Sequence, residues 1–182
     1  GEFATEVSDA GGMQLLDVPK REWSETMLKA LGIDEKKLPK VFESIEISGT
    51  VCKKAAALTG LAEGTPVAGG GGDQAAGAIG SGIVKSGAAS CAIGSSGVVF
   101  AVADKPLIDP KGRIHTLCHA IPETWHVMGV AQASGLSLKW LRDNFFTDVR
   151  STADLMRVDP YYLMDQMAEK IPAGADGLVY LP

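Results

Sequence analysis

The residue best placed for chemistry is a carboxylate that follows four consecutive glycines, in Gly69-Gly70-Gly71-Gly72-Asp73-Gln74. The apolar stretch Pro66-Val67-Ala68 before the run reads as a short strand. The small-residue segment 75–84 after it reads as a helix, with Ala76, Ile79 and Ile83 on one side. A strand feeding a glycine run sets bare backbone at the carboxyl edge of a sheet, where open α/β sheets bind their ligands. Asp73 falls where that loop meets the helix, whose positive end favours an ionised side chain. Such a carboxylate can take a proton from a substrate hydroxyl, or hold a hydrated Mg²⁺ through water. Plainer readings stand beside this one, because aspartate is a common helix N-cap and a glycine run can be a simple turn. A dinucleotide fingerprint needs G-x-G-x-x-G and an acid about 20 residues on; this sequence has neither.

Gly94-Ser95-Ser96-Gly97 is the second candidate. Two hydroxyls and successive backbone N–H groups in a turn can form an anion nest that grips phosphate oxygens. The same composition also makes ordinary hairpin turns. His115, His119 and His126 have neither metal-ligand spacing nor a serine on a nucleophile elbow, and are expected to be polar or core residues. Cys52, Cys91 and Cys118 are odd in number and widely spaced, which fits free thiols in a reducing cytoplasm better than a disulfide framework. Trp23, Trp125 and Trp140 are expected to pack.

The elements that must hold these residues alternate between helix and strand. Trp23–Leu31 has helical spacing, with Ser24 to cap it and Gly32 to end it, and Val51–Thr59 forms a second helix closed by Gly60. A hairpin is expected near Met13–Val18, and strands over 44–48, 66–68, 88–93, 98–102 and 125–131. Helices follow over 136–146 and 161–171, and Leu178–Pro182 reads as a strand. Strands alternating with helices, plus a hairpin, imply an α/β architecture with a mixed sheet. The texture changes near residue 65, where a domain boundary is expected.

With 46% apolar and 21% charged residues among 182, the chain can build a packed core. A net charge of −5 and the absence of a basic patch argue against nucleic acid as a partner. No apolar run approaches the length that spans a bilayer, which argues against a membrane. The abrupt ends look like those of an excised piece.

Residues 70–78, Gly-Gly-Gly-Asp-Gln-Ala-Ala-Gly-Ala, followed by Ile93–Phe100, resemble the FGGY carbohydrate kinase family, most of all its xylulokinases. Segments 1–10, 16–18, 21–24, 118–120 and 177–182 match the same family, so the resemblance covers nearly the whole chain and is weakest over 146–170. It implies an actin-like ATPase, ribonuclease-H-like fold whose two domains close on sugar and ATP, incomplete in this chain. Residues 1–65 would finish the N-terminal domain, and 66–182 would begin the C-terminal one.

By that resemblance Asp73 is the catalytic base that deprotonates a terminal hydroxyl, and Gln74 touches the sugar where relatives often have Asn. Ser95, within Gly94, Ser96 and Gly97, falls at the nucleotide-phosphate position, usually Thr. Gly135 matches a nucleotide-contacting glycine of related glycerol kinases. Lys139 stands where those often have Gln, and can equally be a solvated helix lysine. The implied reaction transfers a phosphoryl group from ATP, with Mg²⁺, to a ketopentose, D-xylulose giving the 5-phosphate. The Gly-Asp-Gln motif does not exclude a glycerol, gluconate or ribulose kinase, whereas Glu6–Ala10 leans towards xylulokinase. Dimers are frequent in the family, so the resemblance allows a homodimer. The family's N-terminal phosphate loop, upstream sugar residues and adenine-binding segment do not occur in this sequence. A non-catalytic fragment or binding module is therefore the rival from another class.

Overall fold

The computed structural model describes residues 3–180; the resemblance and strand expectations that fall on residues 1, 2, 181 and 182 lie outside it. The described residues divide into two compact units, 3–91 with 98–130, and 92–97 with 131–180.

In the first unit, strand β1 (Ala4–Glu6) runs directly into the one-turn helix α1 (Val7–Ala10). Strands β2 (Leu16–Asp17) and β3 (Glu22–Trp23) pair antiparallel, Leu16 opposite Trp23. Helix α2 (Glu25–Leu31) starts where the Ser24 hydroxyl accepts the Met27 N–H at 3.3 Å, and Gly32 ends it in the left-handed conformation at φ 66°. Trp23 thus precedes the helix instead of opening it. Strand β4 (Lys40–Phe42) lies parallel to β1, while β5 (Ile47–Thr50) pairs antiparallel with β6 (Pro66–Ala68) around helix α3 (Lys53–Thr59). The strand expected over 44–48 begins only at Ile47, because Ser44 is buried and its hydroxyl is bonded to Glu6.

Helix α4 (Asp73–Gly80) follows the glycine run. Its buried residues are Ala75 and Ala78; of the expected Ala76, Ile79 and Ile83, Ile83 packs against the core while Ile79 is exposed. Strands β7 (Ala89–Ile93), β8 (Gly97–Ala103), β9 (His115–Cys118) and β10 (Trp125–Ala131) form a four-stranded sheet in the order β7-β8-β10-β9, with β9 and β10 antiparallel. Parallel and antiparallel pairs therefore both occur among the described strands, the parallel one in the separate two-stranded sheet of β1 and β4.

Two apolar clusters hold this unit. Val7, Ala10, Leu15, Leu16, Trp23 and Leu28 pack with Cys118, and a smaller group joins Ala78 to Phe100 and Val102. Fully burying one Leu, Val or Phe side chain is worth about 1.5–3 kcal/mol, so the first cluster fastens α1 to α2 and β9.

The second unit contains helices α5 (Gly135–Phe145), α6 (Thr147–Met156) and α7 (Pro160–Ala168). The sequence reading missed α6, whose apolar residues are too sparse for a clear stripe. Helix α7 starts one residue early because Asp159 accepts the Tyr161 N–H at 2.8 Å and Pro160 fits the first helical position. Trp140 does not pack as expected: it stays half-exposed, 5.4 Å from the Phe145 ring. Residues 178–180 are not a strand. Among the described residues, no helix is long and apolar enough to cross a membrane.

Candidate active site

The glycine run is held from below by one buried carboxylate. Glu6, only 3% exposed, accepts the backbone N–H of Ser8 at 2.9 Å and of Asp9 at 2.7 Å, capping α1. It also accepts the hydroxyls of Ser8 and Ser44, both at 2.6 Å, and the Gly72 N–H at 3.1 Å. The Ser8 hydroxyl oxygen accepts the same Gly72 N–H at 2.9 Å. A carboxylate with two acceptor oxygens suits this ring of donors, and charge-assisted bonds of this kind are the strong ones.

Glycine is needed here for close approach. A Cβ on Gly69 would fall 2.6 Å from the Glu43 carbonyl oxygen, and Gly70 adopts φ 98°, which side chains avoid. Gly69 and Gly70 donate to the Glu46 and Ser44 carbonyls at 2.8 and 3.1 Å. The loop is thus pinned at Gly69, Gly70 and Gly72, and the next residue is Asp73.

Asp73 is the first residue of α4 and is exposed. It is not the cap: Gly72 occupies that position, and the Asp73 Oδ1 accepts the adjacent Gln74 N–H at 2.7 Å. A pocket of about 160 Å³ opens beside it, lined by Ser8, Asp9, Gly72, Asp73, Gln74 and His126, among others. The sequence candidates Asp73 and Gln74 therefore share a pocket, and the fold adds Asp9 and His126. Among the described residues, no group of three or more His, Cys, Asp or Glu could hold a metal ion. Carboxylates as few as Asp73 and Asp9 suit Mg²⁺, which keeps most of its waters and binds through one or two carboxylates plus phosphates.

Arg21 ties three segments of this unit together. Its guanidinium makes a two-pronged pair with Glu43 at 2.6 and 2.7 Å and donates to the carbonyls of Thr124 at 2.9 Å and His119 at 3.1 Å. His119 is fully buried and satisfied: Nε2 lies 3.2 Å from the Ile83 carbonyl, and Nδ1 accepts the Ile121 N–H at 3.2 Å. Those two bonds put the proton on Nε2. Burial holds its pKa below the usual histidine value, and burial together with His119 brings His126 down to about 4. His115 is exposed.

The sequence reads His126 as a polar or core histidine, and Glu6 and Arg21 only as parts of family-matching segments; the roles of Glu6, Ser44 and Arg21 escape it because their partners are remote. Gly72 is 66 residues from Glu6, and Thr124 is 103 residues from Arg21. The only local signal was the polar cluster Glu6-Val7-Ser8-Asp9.

In the second unit, Gly94–Gly97 is a tight turn in which the Gly94 N–H donates to the Ser96 carbonyl at 2.8 Å. The start of α5 docks on it: Ser134 donates to Ser95 O at 2.8 Å, and Gly135 to Gly94 O at 2.9 Å. A Cβ on Gly135 would lie 2.5 Å from that Gly94 oxygen. Gly94, Ser95, Ser96, Gly97 and Gly135 are thus brought together, with the Ser95 residue exposed. Lys139 stands one helical turn further on, its ammonium 3.0 Å from Asp143 Oδ2 in an exposed pair.

An exposed carboxylate at a glycine-run helix start and a serine turn locked to a second helix are the two arrangements the fold builds around the sequence candidates. Residues 1–80 match the N-terminal domain of the FGGY family of carbohydrate kinases, and the chain belongs to that family. Among individual proteins, the chain is similar to the xylulose kinase of Escherichia coli K12, 43% identical over 140 residues, covering 77% of this chain and 29% of that protein. It is 37% identical to the xylulose kinase of Bacillus subtilis 168 over 182 residues, covering 100% of this chain and 34% of that protein. The crystal structure of xylulose kinase from Rhodospirillum rubrum superposes with a TM-score of 0.85 at 28% identity, covering 100% of this chain and 36% of that one. The chain thus spans about a third of the length of the curated relatives it matches.

Proposed function

We propose that this chain is part of an ATP-dependent sugar kinase that phosphorylates a terminal hydroxyl of a ketopentose, D-xylulose giving D-xylulose 5-phosphate. The observation that carries the reading is the exposed Asp73 carboxylate, fixed at the start of α4 and lining a pocket with Asp9 and Gln74. The division near residue 65, with 1–65 closing the N-terminal domain and 66–182 opening the C-terminal one, belongs to the same proposal. So do the homodimer and the cytoplasmic setting, the latter supported by three free thiols.

Asp73 takes the proton of the sugar hydroxyl as its oxygen bonds to the γ-phosphorus and the bond from that phosphorus to the β-phosphate breaks, leaving ADP. Gln74 orients the sugar through its amide. The Gly94–Gly97 turn holds the nucleotide phosphates through the Ser95 and Ser96 hydroxyls and N–H groups not bonded within the turn; Gly135, whose N–H is bonded to Gly94 O, contacts the nucleotide through its bare Cα, and Lys139 adds positive charge nearby. Asp73 would also hold Mg²⁺ through water, and that ion supplies charge neutralisation on the phosphates. Such catalysis is mostly positioning and electrostatics, which suits a site braced as rigidly as Glu6 braces Gly72.

The choice of xylulose over glycerol, gluconate or ribulose rests on the xylulose kinases among the relatives and on the Glu6–Ala10 segment. Coupled ADP release by the complete enzyme, measured against a panel of these four acceptors, tests the reading. The largest kcat/KM is expected for D-xylulose; a clear preference for another acceptor would replace it, and no ATP turnover with any would overturn it.

A further inference from the structure

Of the three histidines, His126 is the one whose environment is incomplete. It is 1% exposed, and among the described residues neither ring nitrogen has a hydrogen-bond partner. A neutral imidazole carries one N–H donor and one acceptor nitrogen, and buried polar groups are paired as a rule. The faces of the ring are well used. It stacks on Phe100, centroids 4.2 Å apart at 21°, and meets His119 edge-on at 6.1 Å. His119, equally buried, satisfies both of its nitrogens with backbone groups. His126 is therefore fixed in orientation by aromatic packing while its polar atoms go unmatched, and it lines the pocket that holds Asp73, Asp9 and Gln74.

We propose that His126 is a further substrate-binding residue of the Asp73 pocket, giving a hydrogen bond from a ring nitrogen to a hydroxyl of a polyhydroxylated acceptor. The proposal rests on the reading of that pocket as the acceptor site. A hydroxyl both donates and accepts, so it matches the imidazole in either tautomer. Asp9 and Asp73 only accept, and Gln74 does both, so a ligand bearing hydroxyls on neighbouring carbons satisfies carboxylate, amide and imidazole together. The 160 Å³ of the pocket leaves room for a few hydroxylated carbons. Burial keeps the ring neutral near pH 7, so its acceptor nitrogen stays available.

The test is His126→Phe in the complete enzyme, which keeps a ring for Phe100 to stack on and removes both nitrogens. The KM for sugar should rise on the order of ten-fold, the worth of one hydrogen bond, with the KM for ATP within two-fold. One monodeoxy analogue of the sugar should lose affinity on the order of ten-fold in the wild type and hardly at all in the variant. A sugar KM unchanged within two-fold, or deoxy penalties identical in both proteins, overturns the inference. So does an equal rise for sugar and ATP with a lowered melting temperature, which would mark a packing role. A readout independent of the variant's folding is the ¹⁵N shift of the His126 ring in the wild type, expected to move when sugar is added; ring nitrogens that do not respond overturn the inference. A wild-type protein that binds no sugar at all sinks the acceptor-site reading itself, a result distinct from each of these.

Discussion

The backbone N–H of Gly72 is shared between the Glu6 carboxylate at 3.1 Å and the Ser8 hydroxyl at 2.9 Å, one residue before the carboxylate assigned as catalytic base. Asp73 is thus positioned by an acid that belongs to β1 and not to its own helix. The distance in sequence is long, but the mechanical link is a single peptide unit.

Glu6→Gln should test that link. A glutamine offers one acceptor oxygen and turns its NH₂ donor either towards the Ser8 N–H and the Ser44 hydroxyl or towards the N–H groups of Asp9 and Gly72 and the Ser8 hydroxyl. Removing a buried charged acceptor costs about 1.5–3 kcal/mol, so the denaturation midpoint should fall accordingly. In the complete enzyme a displacement of about 1 Å at Asp73 is enough for roughly 10²-fold in kcat. A variant that loses stability but keeps wild-type kcat would show that the Glu6 cage supports the fold and not the base.

Asp73→Asn should have the opposite signature. The residue is exposed and, among the described residues, its side chain bonds only the next N–H, so stability should stay within about 0.5 kcal/mol of wild type. Loss of the base should reduce kcat by about 10²–10⁴-fold, with the sugar KM changed much less. Steady-state kinetics beside a thermal melt separate the two effects, and near-normal turnover would refute the assignment.

Gly135→Ala probes the second unit. The new methyl group would arrive 2.5 Å from the Gly94 carbonyl oxygen, which is backbone and cannot rotate away. Overpacking of this kind costs about 1–3 kcal/mol, and relief requires α5 to back off the serine turn. The KM for ATP should therefore rise while the KM for sugar stays near wild type. An unchanged KM for ATP would separate the turn from nucleotide binding.

Much of this was legible in the sequence, and the limits follow from physics. Ser24 and Gly32 announced both ends of α2, and Gly60 the end of α3, because caps are local chemistry. The glycine run and the serine turn were visible for the same reason. The buried side of α4 was misjudged, since periodicity favoured the larger Ile79 while packing against Phe100 and Val102 selected Ala78. The docking of Gly135 on Gly94, the Glu6 cage and the unpaired ring of His126 depend on contacts between remote segments, which residue spacing does not encode.

That ring also makes stability depend on pH in a defined direction. Burial lowers the His126 pKa to about 4, against 6.5 for the free side chain. Between those values the unfolded chain binds more protons than the folded one, so stability rises with pH across the window. The contribution is complete above about pH 6.5 and is lost as pH falls towards 4, on the order of 3 kcal/mol in all at 1.36 kcal/mol per unit. His119, also depressed by burial, acts in the same direction, so the comparison that isolates His126 is wild type against His126→Phe. Denaturant titrations of both from pH 4 to 8 should give difference curves that slope between pH 4 and 6.5 and are flat above. A difference that is level throughout would mean that the buried imidazole takes up its proton as readily in the folded protein as in the unfolded chain.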